Sequence, residues 1–193
     1  DTDGEEITAE ATFTPEAADG TIELTYEIDA SDLAGQTVVV FERLHHNDVL
    51  IASHEDVRDE DQSVHYPFIA THSLSDATES KLVPAEAGTT LTDTVYLENL
   101  LPETQYTLKG VLMNKDTGEA MLADGEVITS YVDFTTPAAE DGEGSVTMTV
   151  DVPFELDSSL LQGTTVVVFE SLYHKDTEIT THEDITDNAQ TLY

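Results

Sequence analysis

The sequence predicts an all-β chain of tandem immunoglobulin-like β-sandwich domains, and three observations predict it. Apolar residues alternate with period two in short runs, and no segment keeps a helical period over three turns. Thr, Val, Ile and Tyr dominate those runs, as a pleated and half-buried surface prefers. Turn chemistry such as "AADG", "NKDTGE" and "EDGEG" separates them at roughly 8–12-residue spacing.

In chain order the predicted strands are "TIELTYEI" (21–28), "TVVVFERL" (37–44), "TLTDTVYL" (90–97) and "YTLKGVLM" (106–113), followed by "GEVITSYVDF" (125–134), "SVTMTVDV" (145–152) and "TVVVFESLY" (165–173). Each combines β-branched or aromatic residues with alternation, and each is bounded by Gly, Asn, Asp or Ser clusters.

Composition narrows the function classes. The formal net charge is −35 across 193 residues, with four Lys and two Arg. Nucleic acid and anionic membrane both require cationic surface, so neither is an expected partner. Like-charge repulsion calls for strong packing or some other reinforcement. Cysteine is absent, so disulfides, thiolate metal ligands and thiol nucleophiles are excluded. No apolar run approaches membrane-spanning length and no signal peptide opens the sequence, which reads as a mature chain or a slice of one.

The chain repeats itself. "GQTVVVFERL" matches "GTTVVVFESL", and "HEDVRDEDQS" (54–63) matches "HEDITDNAQT" (182–191). Glu42 aligns with Glu170, His54 with His182 and Gln62 with Gln190, each at an offset of 128; upstream the offset falls to 121, Ile7 against Ile128. Nothing ahead of the first copy corresponds to residues 68–121. The expected organisation is therefore a window of a longer array: 1–67 as the rear half of one repeat, and 68–193 as a second, nearly complete one.

Two acids sit where core residues belong. Val166, Val168, Glu170 and Leu172 share one strand face, and the opposite face (Thr165, Val167, Phe169, Ser171, Tyr173) is expected to meet solvent. Leu91, Asp93, Val95 and Leu97 likewise share a face. A carboxylate among aliphatics is costly unless paired, hydrogen-bonded or protonated. Gln190 alternates in phase with Leu192, and Gln62 with Val64, so these carboxamides point inward as well. Pattern alone allows either a satisfied polar network or an acyl-transfer site with an amide carbonyl as electrophile and a hydroxyl as nucleophile.

"VVFE", "HEDITDNAQT", "TDTVYLENLLPETQYTLKGVLMNKDTG" and "IAT", in this order-dependent combination, resemble the VaFE-type repeats of Gram-positive surface adhesins and pili, the Thr–Gln ester-bond domains. The similarity spans 68–193, and its rear half recurs in 1–67. The resemblance implies an intramolecular ester between Thr71 and Gln190, with ammonia released and Asp93, Glu170 and His182 assisting. It implies an equivalent half-site at Glu42, His54 and Gln62. The stretch "THSLSD" departs from the family's "TxAxD", which keeps Thr78, Thr89 and Thr92 as further candidate nucleophiles. It also implies a cell-surface stalk, attached to the wall through a segment outside these residues, whose partners are neighbouring repeats and, through another domain, a host or cell-surface ligand. Self-crosslinking happens once, so no turnover enzyme, no cofactor and no metal are expected.

Three other readings use the same residues. The acidic "HEDITD" and "HEDVRDED" could bind Ca²⁺ without EF-hand spacing, and His182 could hold zinc with His174 or His72. A lysine–asparagine isopeptide would draw on Lys109 with Asn188 or Asn99.

Overall fold

The computed structural model describes residues 6–140 and 144–193, apart from the side chain of Leu160. The chain divides into two compact units, 1–34 and 35–193. In the first, the described residues 6–34 form no strand; local hydrogen bonds such as Leu33 N–H to the Ala30 carbonyl (3.1 Å) shape its turns.

The predicted strand at 21–28 is therefore not formed. Its counterpart in the second copy is a strand, and the difference lies in pairing. An isolated extended segment has no ladder to satisfy its amides, whereas the counterpart is bonded to a neighbour along its length.

The second unit opens with short strands. β1 (Thr37–Val39) pairs with β4 (Ser63–His65), and β2 (Glu42–His46) pairs with β3 (Val49–His54) through an Asn47–Asp48 turn. Both turn residues have positive φ (49° and 62°), which suits Asn and Asp. The predicted strand at 37–44 is thus split into β1 and β2.

Two sheets make the sandwich that follows. β5 (Phe68–Ser75), β6 (Thr89–Leu100) and β11 (Val146–Leu156) form an antiparallel sheet in the order β11-β6-β5. Opposite lies a sheet ordered β10-β7-β12-β13, with β7 (Gln105–Asn114), β10 (Thr129–Thr135), β12 (Val166–His174) and β13 (Thr177–His182). The last strand, β14 (Thr191–Leu192), also pairs with β12. A ribbon of β8 (Leu122–Ala123) and β9 (Glu126–Val127) connects β7 to β10. This strand order is that of an immunoglobulin-like sandwich, in line with the sequence.

The core lies between the sheets: Ile69, Leu91, Val95 and Leu97 from one, and Leu108, Leu112, Val168 and Leu172 from the other. The outer face of β12 departs from expectation, because Val167 and Ser171 are buried too. β12 is bonded along both edges, and cross-strand neighbours such as Met113 and Thr191 flank Val167.

Where the first copy's closing strands meet the sandwich, Asn99 is the fastener. Its φ of 64° is again favourable for Asn, and its side chain is buried. Nδ2 donates to the Gln36 carbonyl (2.7 Å) and the Tyr66 carbonyl (3.3 Å), while Oδ1 accepts from the Thr37 hydroxyl (3.2 Å).

The repeat allows a controlled comparison of burial. Leu172 is fully buried and its counterpart Leu44 is 41% exposed. Leu172→Ala is expected to cost about 2–5 kcal/mol and Leu44→Ala no more than about 0.5 kcal/mol, read by chemical denaturation. Equal costs would contradict this account of the core.

Candidate functional site

Alternation on β5 turns Ile69, Thr71, Ser73 and Ser75 inward and leaves His72 exposed. Register then sets Thr71 opposite Val95 and Ser73 opposite Asp93 on β6. On the facing sheet, β12 carries Glu170 opposite Gly110 on one side and His182 on the other. The closing segment descends beside β5, where Ser73 N–H donates to the Ala189 carbonyl (3.0 Å) and Val168 N–H to the Gln190 carbonyl (3.2 Å). One residue on, β14 begins.

Thr71 is thereby bracketed. Ile69, two residues before it, offers its carbonyl to His182 Nδ1 (3.3 Å), and Ser73, two residues after it, is bonded to Ala189. The strand bearing Thr71 thus lies against both the His182 strand and the Gln190 segment.

Solvent is excluded. Asp93, Glu170 and Gln190 are 0% exposed and Thr71 is 7% exposed. Yet, among the described residues, Thr71 Oγ1, both Gln190 side-chain atoms, both Glu170 oxygens and Asp93 Oδ2 have no partner within strict hydrogen-bond geometry, although Thr71 and Glu170 lie close enough to Asp93 to act on it. Buried polar atoms are ordinarily satisfied, and each exception costs about 1–3 kcal/mol. Among the described residues the other such atoms are Ser75 Oγ and, in the first copy, Gln62 Oε1.

Electrostatics sort the two acids. Burial pushes the Glu170 carboxyl up to about 10, and the neighbouring Asp93 adds to that rise, so Glu170 is a neutral acid at physiological pH. Burial also raises Asp93, but Ser73, Glu170, Thr71 and the Lys81 ammonium pull the other way. Ser73 Oγ donates to Asp93 Oδ1 at 2.5 Å. Both carboxyls therefore stand above their ordinary values, with four groups opposing the rise of Asp93 and none opposing that of Glu170.

His182 has acceptors on both sides, Ile69 O at Nδ1 and Asp187 Oδ2 at Nε2 (3.0 Å). Gly110 leaves room for Glu170: a Cβ there would lie 2.6 Å from Glu170 Oε1 and 2.5 Å from the Phe154 ring.

The other candidate hydroxyls are differently placed. Thr89 Oγ1 is hydrogen-bonded to Ser158 Oγ (2.7 Å), exposed Thr78 donates to the Leu82 carbonyl (2.6 Å), and Thr92 lies on the opposite face of β6 from Asp93. For the isopeptide, Lys109 lies on the face of β7 opposite Leu108 and Gly110, Asn188 is exposed and Asn99 is engaged at the fastener. Among the described residues no three His, Asp or Glu side chains converge as a metal site.

The first copy repeats half of this arrangement. Glu42 pairs with His54 just as Glu170 pairs with His182, with the bulge following Leu44 and Leu172, two residues on, in both. Val38 faces Val64 as Val166 faces Leu192, and Val40 N–H donates to the Gln62 carbonyl (3.0 Å). His54 Nε2 meets Asp59 Oδ2 at 2.8 Å. The difference is wetness: Glu42 is exposed and Val64 is 47% exposed, contrary to the inward orientation expected for this strand. Gln62 Nε2 instead donates to the Glu42 carboxylate. No facing sheet covers it among residues 1–66 that the structure describes.

Ser73, Lys81, Gly110 and Asp187 escaped the sequence reading. Asp187 and Asp59 share the 128-residue offset, a signal that was available. Nothing in the sequence marks the other three, which depend on cross-strand register.

The sequence profile of the T-Q ester bond containing domain matches residues 1–66 and again 67–193. The chain belongs to this family. No curated protein matches it. Among solved structures, it is similar to a bacterial adhesin from Mobiluncus mulieris containing intramolecular disulfide, isopeptide and ester bond cross-links, at 17% identity and a TM-score of 0.47. The match covers 66% of this chain and 56% of that one; a second crystal form gives 0.48. A putative beta-galactosidase from Bacteroides fragilis follows at 16% identity, a TM-score of 0.39 and coverage of 58% and 15%.

In this T-Q domain, Glu170 gives a pH test with a definite sign. Below the ordinary value of 4.5 the carboxyl is protonated folded and unfolded; between there and about 10 only the folded form keeps the proton. Rising pH across that window therefore favours unfolding through this group. In a Gln190→Ala background, Glu170→Gln is expected to gain stability relative to Glu170 between about pH 5 and about pH 9, by denaturant titration. An unchanged difference would contradict a buried neutral Glu170.

Proposed function

We propose that residues 68–193 are a self-crosslinking stalk module in which the Thr71 hydroxyl condenses with the Gln190 carboxamide. The observation that carries this reading is the cluster of unpartnered buried atoms. Thr71 Oγ1 and the Gln190 amide are both dry and on adjoining segments; among the described residues the amide has no hydrogen-bond partner, and the hydroxyl has none within strict geometry, only Asp93 close enough to act on it. Condensation removes the amide nitrogen from the interior and gives the hydroxyl oxygen a covalent partner.

Asp93 takes the Thr71 proton as Oγ1 attacks Cδ of Gln190. The C–O bond forms, charge develops on Oε1, and protonated Glu170 donates to it. His182, held between Ile69 and Asp187, serves the carboxamide side with Glu170. The C–N bond then breaks, the nitrogen takes a proton, and ammonia leaves. Thr71 and Gln190 remain joined as an ester that persists because packing excludes water. The event occurs once per chain, so the module has no catalytic turnover.

The ester would tie the first strand of the sandwich to the last and enclose residues 72–189. Chain-entropy reasoning assigns such a closure about 4–5 kcal/mol. Force applied along the chain would load a covalent bond and spare the strands between. That suits a Cys-free, strongly acidic tandem array on a cell surface, with adjoining repeats as its partners. Gln62, with Glu42 and His54, is the same half-site in the preceding repeat.

Intact mass tests this directly. The chain is expected to weigh less than its sequence by one ammonia for the Thr71–Gln190 link, and Thr71→Ala and Gln190→Ala each restore that ammonia. A deficit that survives both substitutions, or none in the parent, refutes the assignment.

A further inference from the structure

Six cationic side chains serve this chain of net charge −35, and two of them grip the residues on either side of Gln190. Lys81 Nζ donates to the Ala189 carbonyl and to the Ser73 carbonyl. Lys115 Nζ donates to Thr191 Oγ1 (2.7 Å). Lys81 is also tied in through its backbone: Tyr193 N–H donates to its carbonyl (2.8 Å), and Val83 N–H to the Tyr193 carbonyl (2.8 Å). The lysine thus holds the closing segment before and after Gln190, and its amine spans from that segment to the strand bearing Thr71.

Lysine usually extends its ammonium into water, and turning it onto two main-chain carbonyls is a costly arrangement. Burial lowers the Lys81 ammonium from its ordinary value, while Asp93 and Asp187 favour the charged form. Both acids belong to the neighbourhood of the crosslink, Asp93 beside Thr71 and Asp187 beside His182. Lys81 stands in the loop between β5 and β6, ahead of all the strands that separate Ser73 from Ala189 in sequence. Simple stability does not require a cation there, since the Ser73–Ala189 backbone bond already joins the two segments.

We propose that Lys81 is a positioning residue for the Thr71–Gln190 condensation, clamping the carboxamide segment against β5 and keeping a positive charge beside the Asp93 base. This rests on the ester reading above. The clamp fixes the approach of Oγ1 to Cδ, a geometry to which such reactions are steeply sensitive. The ammonium also opposes the rise that burial imposes on Asp93, alongside Ser73, Glu170 and Thr71.

The test follows the intact mass of the full 193-residue chain in time after cell-free synthesis, with near-UV circular dichroism as a check on packing. Lys81→Met is expected to lose ammonia about 10- to 100-fold more slowly than the parent while keeping the parent's spectrum. Lys81→Arg, which retains the charge and donors, recovers most of the rate. Lys175→Met, the same charge change at an exposed site, proceeds at the parent rate. Ammonia loss by Lys81→Met at the parent rate overturns the proposal. So does a Lys81→Met chain that loses its fold together with the crosslink, which would make the lysine purely structural. A parent chain that never loses ammonia is a separate outcome: it removes the ester reading on which the proposal rests.

Discussion

Everything in the second repeat is arranged around unpaired polar atoms held where water cannot reach them. A core that contains Asp93, Glu170 and Gln190 at zero exposure is an expensive core by ordinary accounting. Part of the cost is met by protonating Glu170, and part by the Ser73 hydroxyl and the Lys81 ammonium near Asp93. The remainder is left on Thr71, Gln190, Asp93 Oδ2 and the Glu170 oxygens. In the proposed ester chemistry such tension would turn a hydroxyl and a primary amide, both sluggish in water, into reactants, and the same dryness would protect the product.

The two copies separate what is local from what is tertiary. The hairpin with its bulge, the Glu–His pairing, the His–Asp contact and the turn leading to the glutamine all recur in the first copy. These features are written into short-range sequence, and they form without a facing sheet. Burial is not. Glu42 is exposed where Glu170 is sealed, because only the second copy has β5, β6 and β7 beside it. In the first copy the amide nitrogen donates to the carboxylate, while the amide oxygen, Gln62 Oε1, is buried without a hydrogen-bond partner among the described residues. The motif sets the local arrangement, and the sandwich supplies the burial.

This also explains which parts were legible from the sequence. Alternation revealed β6, β7 and β12, and it turned Asp93 and Glu170 inward because period-two patterning is a property of the strand itself. It failed at 21–28, where an equally good pattern has no ladder to join. It misjudged the outer face of β12, since burial of Val167 depends on neighbours along both edges. Gly110 and Ser73 are visible only through register, as each matters by standing opposite an acid. Lys81 is a loop residue whose role follows from the return of the chain more than a hundred positions later. No local reading reaches that far.

The central claim concerns a single pair of atoms, and a high-resolution crystal structure of the chain tests it most directly. Continuous electron density from Thr71 Oγ1 to Cδ of Gln190, at covalent separation and with no density for Nε2, is the predicted result. Two separate side chains at van der Waals distance, with the carboxamide intact, would contradict it.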